Sequence, residues 1–252
     1  MPTKPKPIPA DLLDAQTTVD WAVAQLPSLS ERMQAWLDEN VYAVVEETEP
    51  PATHDVIVAI EKQALPLGFN VEVGSYLNVI RSSLDILATA IGRRYSVLHP
   101  NGVYFPVAES AEKFATGDYN GSKFINALPA DAADIFKALR PYQGGNKALW
   151  SLHQLDVMRK HRRLLQVEIR PFRFGLAGLR PPGDDFQTIA TGYLRANEKT
   201  VLGMLRKGAP YSNLKVYPHV ALDEASAPGG KPVVQAINEF ARLATTIIRL
   251  FA

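Results

Sequence analysis

No cysteine occurs anywhere in the chain. That excludes a disulfide scaffold, a thiolate metal site and a cysteine nucleophile together. Long apolar runs are also missing. No stretch approaches the roughly 20 residues that a membrane-spanning helix needs. The opening Met-Pro-Thr-Lys-Pro-Lys-Pro-Ile-Pro lacks the apolar segment of a secretory signal. Prolines at 2, 5, 7 and 9 instead predict a flexible, extended tail over residues 1–10. A soluble, cytoplasmic protein without a membrane partner follows by elimination. Absent too are the Gly-x-Gly-x-x-Gly and Gly-Lys-Ser/Thr phosphate loops, the His-Glu-x-x-His zinc motif and the Gly-x-Ser-x-Gly elbow. The expectation is no cofactor and no metal site.

What is present is an ordinary globular composition. Of 252 residues, 46% are apolar and 21% charged, with a net charge of +1. So small a net charge argues against a generic polyanion binder. Its distribution is uneven. Residues 159–180 hold seven Lys/Arg against the single acid Glu168, and residues 31–61 hold eight acids against Arg32 alone. A basic run of this kind reads either as an anion-binding patch or as a solvated face that includes a helix C-terminus.

The apolar pattern predicts an α+β domain over residues 11–252. Residues 11–39 read as helix, with Pro27 as a break or kink before a Ser28/Glu31 capping box. Val41–Glu47 and Val56–Ala64 read as an antiparallel pair across a Glu-Pro-Pro turn. Val73, Leu77, Ile80, Leu84, Leu87 and Ile91 recur at helical steps and place a helix over 72–94. Residues 99–126 read as loop, 131–139 as a short helix and 146–165 as a second long one. Strands are expected at 167–174, 186–194, 200–205 and 214–222. A last amphipathic helix begins near Pro232 and runs through Phe251. Together these predict one antiparallel sheet of about six strands packed by helices, with 72–94 and 146–165 as a central helix pair.

Chemistry-bearing residues concentrate on that pair. Arg81 and Asp85 are four apart, so they share a helix face beside the apolar stripe. A partly buried arginine is costly unless paired. His153, Asp156 and Lys160 line a face of the other helix at i, i+3 and i+7, and His161 is displaced from them. An imidazole beside a carboxylate is a candidate general base, and it is equally a satisfied core histidine. Arg81, Asp85, His153, Asp156 and His161 are therefore the catalytic candidates. Lys160, Arg162 and Arg163 are candidate phosphate-binding residues or helix caps.

Three segments carry a resemblance. They are Leu77-Asn78-Val79-Ile80-Arg81-Ser82-Ser83-Leu84-Asp85, then Tyr104-Phe105-Pro106 with Arg140-Pro141-Tyr142, then Leu152-His153-Gln154-Leu155-Asp156-Val157-Met158-Arg159-Lys160-His161-Arg162. Their order resembles a family of uncharacterised bacterial proteins of about this length. A more distant likeness is to HEPN-type helical domains, many of them metal-independent RNases that use an Arg followed four to six residues later by His. In this chain Ile86 stands where that histidine would be. Two readings stay open. One is a non-catalytic or ligand-binding protein, a homo-oligomer candidate, with a polar network between two core helices. The other is a HEPN-like RNA-directed protein, either an endoribonuclease or a degenerate RNA-binding relative.

Overall fold

The computed structural model describes residues 7–39, 42–47, 54–97, 103–176, 186–188, 195–196, 199–207, 214–226 and 230–252. In chain order a 3-10 turn (Ala10–Leu12) leads into α1 (Leu13–Asp38), β1 (Tyr42–Glu47), β2 (His54–Glu61) and α2 (Leu67–Arg94). Three short helices follow: α3 (Ala111–Thr116), α4 (Ser122–Ala127) and α5 (Ala130–Ala138). Then come α6 (Lys147–His161), β3 (Val167–Leu176), β4 (Phe186–Thr188), β5 (Arg195–Ala196), β6 (Lys199–Arg206), β7 (Leu214–Leu222) and α7 (Val233–Arg249). Among the described residues, no helix is long and apolar enough to cross a membrane.

The chain divides into two compact units. The first comprises Met1–Ser30, Leu67–Val167 and Ala221–Ala252. It is a helical core. α2 packs chiefly against α7 and α6, and α6 also meets α7. The reason is written in α2 itself. Its buried positions include Val73, Leu77, Ile80, Leu84, Leu87, Ala88 and Ile91, interleaved with buried Gly74, Arg81 and Ser83. A helix covered over so wide an arc must be flanked on several sides. α7 supplies one flank through a narrower stripe of Val233, Ala236, Ile237, Phe240, Ala241, Ala244, Ile247 and Ile248.

The second unit comprises Glu31–Pro66 and Glu168–Val220 and carries the strands. β1, β2, β6 and β4 follow one another in a five-stranded sheet, with β5 also paired to β6, and β3 pairs β7 in a separate two-stranded sheet. The β1–β2, β2–β6, β4–β6 and β5–β6 pairings are antiparallel. A bulge between Ile57 and Val58 shifts the β2–β6 register, and both side chains are buried.

This corrects the expectation of one six-stranded antiparallel sheet packed by helices. The strands form separate pairings in two sheets, and α2, α6 and α7 pack on one another. Period-two patterning shows which segments are extended but not which edges meet. β6 takes neighbours along both its edges, which leaves β3 and β7 to each other.

Three local expectations change as well. α1 runs unbroken through Pro27, flanked by Leu26 and Leu29 at 2% and 0% exposure. Burial on both sides offsets the backbone hydrogen bond that an interior proline forfeits. The expected loop over 99–126 contains α3 and α4. Ser110 caps α3 by accepting from the Lys113 N–H at 3.2 Å, and Gly117 closes it at φ 77°. α6 stops at His161, four residues short of Leu165. Of the expected strand 186–194, residues 189–194 lie outside the described residues, as do residues 1–6 of the proline-rich tail and 99–102 of the expected loop.

Candidate functional site

Within the helical unit, α2 presents a polar stripe parallel to its apolar one. Asn70, Gly74, Asn78, Arg81, Asp85 and Thr89 follow at three- and four-residue steps, the spacing that keeps them on one face. α6 and the chain beyond it supply the partners in reverse order. The Asn70 side-chain amide donates to the Leu165 carbonyl at 2.7 Å. Gly74 lies under Arg159, where an added Cβ would sit 2.9 Å from Cδ. The Asn78 amide donates to Asp156 Oδ1 at 2.8 Å, and Arg81 Nε donates to His153 Nδ1 at 3.5 Å. Positions rising along α2 meet positions falling along α6, so the two helices run antiparallel along a polar seam.

The seam has two charged nodes. At the first, Arg81 is only 5% exposed. Its Nη1 donates to Asp85 Oδ1 at 2.7 Å and its Nη2 to the Phe105 carbonyl at 3.3 Å. Asp85 Oδ1 also accepts the Phe105 N–H at 2.8 Å. Residue 105 is thereby held by both its backbone groups, and its ring lies 5.9 Å under the guanidinium. The second node is Asp156, which is buried. Its Oδ2 pairs with Lys160 Nζ at 2.7 Å while its Oδ1 takes Asn78.

His153 is half-buried beside the first node, with the Trp150 ring 6.1 Å away. Burial and the neighbouring Arg81 cation push its pKa down to about 4; the Asp156 and Asp85 carboxylates oppose this only in part. The ring is neutral at pH 7. With Nδ1 accepting from Arg81, its proton sits on Nε2. A base whose pKa lies so far below neutrality is a weak proton acceptor for catalysis at pH 7.

This shift has a stability consequence. The unfolded histidine takes up its proton near pH 6.5, whereas the folded one stays neutral down to about 4. Protons therefore bind the unfolded chain preferentially in that window, and stability falls as the pH drops from 6.5 to 4. With allowance for the ring's partial solvent access, the loss is about 2 kcal/mol. His153→Asn should remove this part of the profile. Urea denaturation of both proteins at pH 7, 5.5 and 4.5 measures it, and parallel profiles would contradict the assignment.

The remaining candidates lie outside this cluster. His161 and Arg162 are exposed at the end of α6. Among the described residues their side chains have no hydrogen-bond or ion-pair partner. Arg163 is engaged: Nη1 and Nη2 hold the two carboxylate oxygens of Glu224 at 2.8 and 2.9 Å. Glu224 also accepts the Gln166 N–H at 2.7 Å, and its side chain is 2% exposed. Lys160 and Arg163 are thus committed to carboxylates of the protein itself. No group of three or more His, Asp or Glu in metal-binding geometry occurs among the described residues.

Sequence reasoning missed Asn70, Asn78, Arg159, Glu224 and the Phe105 backbone. The first two carried a signal, because Asn70, Gly74 and Asn78 fall at four-residue steps in line with Arg81. Glu224 carried none, being 61 residues from Arg163 in a loop. No known protein family, curated protein or solved structure matches the chain.

Proposed function

We propose that this chain is a non-catalytic or ligand-binding protein in which the α2–α6 polar seam sets helix register rather than performing chemistry. One observation carries the reading. Arg81 is sealed, and Nε, Nη1 and Nη2 each already have a partner within the fold. A phosphate would have to displace Asp85 and the Phe105 carbonyl to reach it, which would leave buried groups unsatisfied. The low pKa of His153 supports the same reading, since a nuclease needs a histidine that exchanges protons near neutral pH. Fully satisfied polar networks specify a unique packing, and that is the role assigned to this one.

The test is direct. Purified protein, His153→Ala and His161→Ala are incubated with mixed RNA in the presence of a chelator. The expected result is no RNA decay above a protein-free control in any of the three. Decay by the wild type that either substitution abolishes would assign a histidine-dependent RNase and overturn the proposal.

A further inference from the structure

Away from the helix pair, α3, α4 and α5 line a cavity of about 250 Å³. Phe114 and Tyr119 form its aromatic wall, with ring centroids 5.1 Å apart and planes 25° from parallel. Thr116, Ser122, Asn126 and Lys137 supply hydroxyl, amide and ammonium groups. Lys137 is the one cation among the lining residues, and no carboxylate lines the cavity. The ion pair of Lys137 with Asp134, at 3.2 Å, joins two exposed side chains. Such a pair is weak in water, so a ligand carboxylate can exchange with it. Burial pushes the Tyr119 pKa up, which keeps the hydroxyl protonated at neutral pH and free of competing negative charge.

The wall is backed by a strained turn. Tyr142 packs 5.3 Å from Phe114 on a segment where Arg140 holds φ 49°. That conformation is disfavoured for any residue with a Cβ, and more so for one preceding proline. It is held by the Tyr142 and Asn146 N–H groups, which both donate to the Arg140 carbonyl at 2.8 and 2.9 Å. A Cβ at Gly145 would lie 2.3 Å from the same oxygen, so glycine is required there. Strain maintained in this way clusters at ligand-binding sites, and here it fixes the ring behind the aromatic wall.

We propose that this cavity binds a small aromatic carboxylate, with the ring against Phe114 and Tyr119 and the carboxylate on Lys137. Size sets the class. The volume falls below the roughly 300–1,000 Å³ of sites for drug-sized ligands. A volume of this size suits one ring or a fused pair with a short acid arm. None of these residues belongs to the polar seam, so the proposal stands or falls apart from the reading of α2 and α6.

The experiment titrates the full-length protein with benzoate, 4-hydroxybenzoate, indole-3-acetate and the neutral indole-3-acetamide, followed by saturation-transfer NMR. At least one acid should bind saturably, with a Kd of about 1 mM or tighter for a ligand of this size. Indole-3-acetamide should bind at least fivefold more weakly than its acid. Lys137→Met, at an exposed position, should weaken the acid at least fivefold and leave the amide unchanged. Ala115→Trp, at an exposed lining position on α3, should fill the cavity and abolish binding, with far-UV circular dichroism confirming the fold. Three results would overturn the proposal: no saturable binding of any acid by the folded protein, equal affinity for acid and amide, or acid binding that survives Ala115→Trp.

Discussion

Asp85→Ala is expected to destabilise the protein by about 3 kcal/mol, within the range for removing one partner of a buried ion pair. The cost comes mostly from what the carboxylate leaves behind. Arg81, 5% exposed, would remain charged in the core with only the Phe105 carbonyl and His153 as partners. The Phe105 N–H would lose its acceptor too. Desolvated charge without compensation is the expensive element, so the remedy is to remove the charge. The Arg81→Met, Asp85→Ala double variant should therefore recover at least half of the loss. Asp85→Asn should fall between, since its carbonyl oxygen can still take the Phe105 N–H. Urea denaturation of the four proteins at pH 7 decides the matter. A loss below about 1 kcal/mol for Asp85→Ala, or a double variant less stable than Asp85→Ala, would show that the pair is not the strut described.

The helices were largely legible because their cause is local. In α7 the apolar residues recur at three- and four-residue steps, and the structure buries that stripe. In α2 the same periodicity marked Val73 through Ile91, while the first turn at Leu67 was missed because Gly68 and Asn70 interrupt it. The polar stripe was half legible. Arg81 and Asp85 stand out as charges amid apolar neighbours, whereas Asn78 has no charge to single it out, and its partner Asp156 lies 78 residues away. Lys160, Arg162 and Arg163 show the limit of charge patterning. The sequence groups them as one basic run, but the fold gives Lys160 to Asp156 and Arg163 to Glu224 and leaves Arg162 exposed. Sheet pairing was the least legible feature, since β2 finds β6 across more than a hundred residues of intervening chain. Local preference has no bearing on so distant a partner. The short helices α3 and α4 were missed for a different reason: the caps of α3, Ser110 and Gly117, were visible, but both helices lay in a segment whose Pro, Gly and Asn content suggested loop.

The second large effect links the core to the seam. Phe136 is fully buried, and three rings surround it: Phe105 and Phe124 at 5.5 Å and Phe251 at 4.8 Å between centroids. Phe136→Ala is expected to cost about 3–5 kcal/mol through lost transfer energy and the cavity left behind. Phe136→Leu, which keeps most of the volume, should cost less than about 1.5 kcal/mol. Phe105 makes the alanine variant informative beyond its size. Its ring packs on Phe136 while its N–H and carbonyl are held by Asp85 and Arg81. Relaxation of that ring into the vacated space would move the backbone on which the buried ion pair depends. Asp85→Ala and Phe136→Ala should therefore be non-additive, with an interaction energy above about 0.5 kcal/mol in a double-mutant cycle. Additivity within that margin would mean that the aromatic cluster and the ion pair are independent, and that Phe105 is held by its backbone alone.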